Sequence, residues 1–219
     1  MIGLIIGMIG IALLIYFLAW YFGNNSSLSS YADGSAALVI PATSISDATS
    51  AVYSYSIWIY VSEWSTTNDK TIFRRDTNNP VMVLRKFENA IDTTVRLSSG
   101  IQTCSVPNIP LQKWTNIIIT VNNQSLDTYV NGKLVKTCVL SSFPATVATE
   151  NANVLLTPDG GFSGYTARFK YWGDSLNPQE AWNVYKAGPG GNIFTNFFGT
   201  YKLQMNFIKG TETKASITI

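Results

Sequence analysis

An Asn-Gly dipeptide flanked by strand-forming residues constrains this chain more than any other feature. Asn131-Gly132 separates LDTYV (126–130) from KLVKT (133–137). Asn-Gly best tolerates the two successive positive φ angles of a type I′ turn, whose twist matches that of the strands it joins. A two-residue loop sets Val130 opposite Lys133, Tyr129 opposite Leu134, Thr128 opposite Val135, and Asp127 opposite Lys136. Each cross-strand pair contributes a few tenths of a kcal/mol, up to about 1. Just upstream, TNIIITV (115–121) is β-branched almost throughout, and Asn122-Asn123-Gln124-Ser125 turns it back into LDTYV. Leu126, Val130 and Val135 fall on one face of this unit, Tyr129 and Leu134 on the other. Neither face can be left wholly in water, so the unit reads as the seed of an antiparallel β-sandwich.

The overall balance of residues then excludes whole classes of chemistry. A formal net charge of +2 with 13% charged residues leaves no basic stripe to neutralise phosphates, which argues against nucleic acid as a partner. Histidine is absent. The commonest general base, the commonest metal ligand and every Ser-His or Cys-His nucleophile pair go with it.

Residues 1–23 (MIGLIIGMIGIALLIYFLAWYFG) carry no charged side chain. About 20 residues at a rise near 1.5 Å each span a hydrocarbon core of about 30 Å, so the run reads as a transmembrane helix. Tyr16, Trp20 and Tyr21 crowd its end as an aromatic belt at the head-group boundary. Gly3, Gly7 and Gly10 form a smooth stripe where another helix could approach, or face lipid without a partner. A cleaved signal peptide is the alternative, with small residues at Ser30-Tyr31-Ala32, but a basic n-region is missing and the run exceeds the usual length. No Lys or Arg precedes Lys70, so orientation is not readable.

Residues 24–35 (NNSSLSSYADGS) read as a flexible polar linker, and residues 36–219 as the folded domain. YSYSIWIYV (53–61) is a strand covered on both faces at its far end, where Trp58 and Tyr60 make the second face apolar. Shorter strands follow at 70–75, 81–87 and 93–97, then at 153–157 and 166–172 around the turn-rich PDGGFSG. A helix is predicted after Asn177: an N-cap, Pro178 at the first helical position, Glu180 completing a capping box, and Gly188-Pro189 as the stop. Residues 201–208 and 215–219 read as a closing hairpin, placing a hairpin at 200–219 within the sandwich.

YSYSIWIYV, PLQKW, the NxxLDxYVNGKLV hairpin, GGFSG before an aromatic strand, and SLNPQEAWNVYKAGP together resemble the concanavalin A-like, laminin-G-like jelly-roll superfamily. The resemblance implies an all-β antiparallel β-sandwich jelly roll with one short helix, here preceded by an N-terminal transmembrane helix. More narrowly, the anchor, the serine-rich stretch, the jelly roll and the YKLQMNFIKG hairpin resemble small virion proteins of large DNA viruses that have an internal membrane. That likeness implies a structural minor capsid component, with the lipid bilayer and capsid proteins as partners. A membrane-tethered lectin-like module that binds glycans is the alternative.

Superfamily glucanases carry a Glu-x-Asp-x-x-Glu strand whose alternate carboxylates act as acid and nucleophile, and nothing in this sequence matches it. The nearest acidic pairs, Glu88 with Asp92 and Asp69 with Asp76, are separated by turn residues, so no enzyme is expected. No cofactor is expected either, with calcium the one possibility: laminin-G-like modules bind it at an aspartate rim, where Asp76 and Asp159 are candidates, although turn-capping explains both. Trp64, in the loop after YSYSIWIYV, is the candidate for an exposed indole that stacks on sugar, while Trp58, Trp114 and Trp172 fit the core. Asn24, Asn25 and Asn123 begin N-x-Ser sequons. Cys104 and Cys138, the only cysteines, flank the hairpin unit and are either a disulfide or two buried thiols.

Overall fold

The computed structural model describes residues 27–47, 50–75, 79–146 and 152–190, with the backbone of two strands at 204–209 and 212–218. Residues 27–189 make one compact unit of two six-stranded antiparallel sheets. Sheet one runs β1 (Ala32–Asp33), β12 (Gly164–Trp172), β3 (Tyr53–Val61), β8 (Thr115–Asn122), β9 (Ser125–Val130), β10 (Lys133–Val139). Sheet two runs β2 (Leu38–Ile40), β11 (Val154–Leu156), β4 (Lys70–Arg75), β5 (Val81–Leu84), β6 (Ala90–Leu97), β7 (Gly100–Pro107).

The core lies between the sheets because period-two alternation sends every second side chain inward. Tyr53, Tyr55, Ile57, Ile59 and Val61 of β3 meet Ile72, Phe73, Met82 and Leu84 of the facing sheet. The Tyr55 ring centroid lies 5.0 Å from that of Phe73, itself 5.2 Å from Phe169 on β12.

The outward side chains Ser54, Ser56 and Trp58 of β3 are buried as well, since a loop and a helix cover them, while Tyr60 is half-buried. Ser54 Oγ donates to the carbonyl of Asp174 and accepts from the amide of Leu176, and Trp58 stacks on Tyr185 at 5.7 Å. Helix α1 (Pro178–Lys186) carries the predicted capping box: Asn177 Oδ1 accepts from the Glu180 amide at 3.0 Å, and Glu180 Oε2 accepts from the Asn177 amide at 2.8 Å. Ala181 packs on Ile118 and Tyr129 of sheet one.

The Asn131-Gly132 turn forms with φ of 51° and 73°, and the first two pairs, Val130 with Lys133 and Tyr129 with Leu134, match the expected register. A β-bulge at Val135 then shifts the rest: Lys136 faces Thr128 and Thr137 faces Asp127. In place of the expected Asp127–Lys136 ion pair, Thr137 Oγ1 donates to Asp127 Oδ1 at 2.6 Å. The bulge sits on an edge strand, where only one neighbour enforces register.

Cys104 on β7 and Cys138 on β10 form a disulfide with Cα atoms 6.3 Å apart. These are the last strands of the two sheets, so the bond joins the sandwich's two edges on one side. Closing a loop of this size stabilises by roughly 3 to 4 kcal/mol in the chain-entropy model.

One expectation about domain limits is corrected. The stretch assigned to a flexible linker, 24–35, is part of sheet one from Leu28 onward: the Leu28 amide donates to Phe169 O at 2.8 Å, Phe169 N–H donates to Ser29 O at 3.1 Å, and Ala32 and Asp33 pair with Thr166 and Tyr165. Serine-rich composition says nothing about a backbone partner some 130 residues away. At the other end, β13 (Gln204–Lys209) and β14 (Glu212–Thr218) pair with each other as an antiparallel hairpin. Residues 1–23, with Gly3, Gly7, Gly10, Tyr16, Trp20 and Tyr21, lie outside the described residues, among which no helix is long and apolar enough to cross a membrane.

Candidate functional site

A polar cleft of about 540 Å³ opens where the β3–β4 loop meets β1 and the Pro158–Gly164 turn. Asp33, Asp69 and Asp159 line it with Ser62, Asn68 and Ser163. The turn is positioned by close backbone approach. A Cβ on Gly161 would lie 2.1 Å from Gly34 O, and one on Gly164 would lie 1.9 Å from Tyr60 O, so only glycine lets these strands meet.

Each carboxylate already has a local partner. Asp33 Oδ1 accepts from the amide and hydroxyl of Ser35 at 2.8 and 2.7 Å, which holds its carboxyl below the usual range. Asp69 accepts from the Lys86 amide at 2.8 Å, and Asp159 pairs with Arg74 at 3.0 Å. Lys70 donates to the carbonyls of Ser65 and Asn68, and burial lowers its pKa against the opposing pull of Asp69.

The candidate residues fare differently. Trp64 is half-buried instead of exposed: its Nε1 donates to Lys86 O at 3.1 Å, its ring packs on the core, and Lys70 Nζ lies 4.7 Å from its centroid. A backbone acceptor and a cation over its face hold the loop indole in place. Asp159 pairs with Arg74, Asp76 lies outside the described residues, and among the described residues no three acidic or cysteine groups converge to hold a metal ion. Glu88 and Asp92 both serve Arg85, at 2.5 and 2.8 Å, as a structural ion-pair network. Of the sequons, Asn24 and Asn25 lie outside the described residues, and Asn123 sits exposed at the β8–β9 turn with φ of 51°.

Beside the cleft lies a group of rings that residue patterns do not reveal. Tyr31 stacks on Tyr165 at 5.3 Å, Trp114 lies 6.2 Å from Tyr31 and 5.8 Å from Tyr60, and Tyr60 lies 6.4 Å from Tyr165. Tyr31 is 62% exposed and Tyr165 39%. Partial desolvation and the neighbouring Tyr165 raise the pKa of the Tyr31 hydroxyl. By pattern, Tyr31 belongs to a polar linker and Trp114 to the core. The β1–β12 pairing that brings them together spans most of the chain, so no local signal exposes it.

Comparison with known proteins bears on the sandwich. The family model Laminin_G_3, of the concanavalin A-like lectin/glucanases superfamily, matches residues 21–181. A comparison with curated protein sequences finds no match. Among solved structures, a mutant of HCR/D is similar with 14% identity and a TM-score of 0.57, covering 72% of this chain and 42% of that one. The binding domain of botulinum neurotoxin DC, in complex with rat synaptotagmin II, gives 16%, 0.55, 72% and 42%. The botulinum neurotoxin serotype G binding domain gives 16%, 0.51, 64% and 37%. At these identities the likeness is one of fold, and the chain spans about two fifths of the length of the solved chains it matches.

Proposed function

Since the chain belongs to the concanavalin A-like lectin/glucanase superfamily, we propose that it is a binding module held on a membrane by residues 1–23. Its role is structural, that of a minor capsid component tethering an internal virion membrane to the capsid shell. The module is not an enzyme. Its sequence has no histidine and no glucanase strand, and Arg74 holds Asp159, Arg85 holds Glu88 and Asp92, and the Lys86 amide donates to Asp69.

The join between anchor and sandwich carries this reading. An uncharged run long enough to span a bilayer is followed after four residues by Leu28, already hydrogen-bonded to β12. Force on the sandwich therefore passes to the anchor through a very short segment, as a tether requires. Cross-linking mass spectrometry on intact particles tests it. Cross-links from Lys113, Lys133 or Lys136 to the major shell protein are expected, with the protein resisting alkaline carbonate extraction. A sandwich outside the shell, cleaved by added protease and free of such cross-links, overturns it.

A second reading, a membrane-tethered lectin-like module, has its own observation: the polar cleft whose Asn68, Asp69 and Ser163 offer donors and acceptors to hydroxyl groups. Glycan-array binding by the full chain, lost in Asp69→Ala, supports that reading. An array without signal removes it.

A further inference from the structure

The outer face of sheet one is aromatic well beyond the area that helix α1 covers. Trp58 lies beneath Tyr185, and Ile118 and Tyr129 lie beneath Ala181. On the same face, Tyr60 and Trp114 continue to Tyr165 and Tyr31, and no described element covers the last two. We propose that this bare aromatic surface rests on the head-group layer of the membrane that holds residues 1–23, so that the occupant is the bilayer itself. The proposal depends on the anchor reading given above.

Reach decides the occupant. Five virtual bonds separate residue 23 from Leu28, and a fully extended chain spans at most about 3.6 Å per residue, roughly 18 Å in all. The polar layer on each side of the hydrocarbon core takes up roughly 5 to 8 Å of that. Leu28, bonded to Phe169, is thus held within roughly 10 to 13 Å of the outer limit of the head groups. Tyr31 follows three residues later along an extended strand, about 10 Å further at most. A 12-residue flexible linker would have freed the sandwich from the surface; the four residues left after β1 joins sheet one do not.

The chemistry of the surface suits that position. Tyrosine and tryptophan combine an apolar ring with one polar atom, and they concentrate at membrane–water boundaries for that reason. All four rings of the surface are of this kind, and Asp33, opposite Tyr165 on the same face, sets one carboxylate at their margin. Tethering also raises the effective concentration of lipid at the face to a level at which weak ring contacts are populated. With the face on the head groups, the acidic cleft beside it opens at the membrane margin, within reach of whatever the shell presents there.

The test uses the full chain reconstituted in phosphatidylcholine vesicles. Alkaline carbonate extraction first establishes whether the anchor holds. Hydroxyl-radical footprinting then compares Tyr31 and Tyr165 with Phe87, which is 74% exposed. The expected labelling of Tyr31 relative to Phe87 is about fivefold below the near-unity ratio that their exposures imply. Inserting about 20 Gly/Ser residues after Asn25 should raise it at least about twofold, since the longer leash lowers the effective concentration. A ratio near one in protein that resists extraction overturns the docking while leaving the anchor standing. Protein released by carbonate overturns the anchor and the docking with it. Protection that follows added oligosaccharide, or rises with protein density at fixed lipid, assigns the face to a glycan or a second copy and overturns the bilayer as occupant.

Discussion

Helix α1 makes two regions of one sheet face differ in fate though not in composition. Over Trp58, Ile118 and Tyr129 the helix supplies Ala181 and Tyr185, and the rings beneath become core. Over Tyr31 and Tyr165 nothing described is supplied, and equally large rings stay in contact with solvent. Aromatic content therefore does not distinguish a packing surface from a binding surface; the presence of a covering element does. Burial of a large ring against protein is worth several kcal/mol, whereas the bare rings add little to folding and remain available to a partner.

Substitutions sharpen this contrast. Trp58→Ala, on the covered side, should destabilise the sandwich by about 3 to 5 kcal/mol in urea unfolding; a loss below about 1 kcal/mol would mean that the helix does not hold this ring. Gly132→Ala acts on the helix contact from the other direction. At φ of 73°, a Cβ there would lie 2.8 Å from Trp182 Cε3 and 2.9 Å from Tyr185 Cβ, and a loss of about 1 to 3 kcal/mol is expected from strain. Unchanged stability would show that the helix can shift freely.

Removing the helix cap has a smaller effect. Asn177→Ala deletes the acceptor for the Glu180 amide, and about 1 kcal/mol should be lost, with increased hydrogen exchange confined to α1. Smallest is Tyr31→Ser on the bare side, within about 0.5 kcal/mol of the parent. A loss beyond about 2 kcal/mol there would erase the contrast, since Tyr31 would then be core.

Short-range chemistry was legible in residues 104–138 and 177–189. The Asn131-Gly132 turn and the capping box each depend on neighbours a few residues apart, and each formed as expected; β3 is covered on both faces through Trp58 by residues 174–185, while Tyr60 at its far end stays half-buried. Elsewhere the contacts differ from what the local pattern suggests. Leu28–Asp33 found β12, Trp64 found the carbonyl of Lys86, and the bulge at Val135 replaced a charge pair with the Thr137–Asp127 bond. Polar composition marks a stretch as soluble, but whether its backbone bonds go to water or to a strand edge depends on which edge is free.

By itself the sequence determined the class of fold, the hairpin at Asn131-Gly132, the capped helix and the absence of histidine chemistry, because turn sterics, alternation and composition act locally or on the chain as a whole. Only the tertiary structure decided that β1 closes sheet one, that Cys104 and Cys138 meet across two sheet edges, and that Tyr31 and Tyr165 stack on a face that no described element covers. Those contacts join residues 34 to 134 positions apart. Loop-closure entropy opposes every such pairing with similar weight, since it grows only with the logarithm of loop length. Which of them forms is therefore settled by how the sheets pack, not by any local signal along the chain.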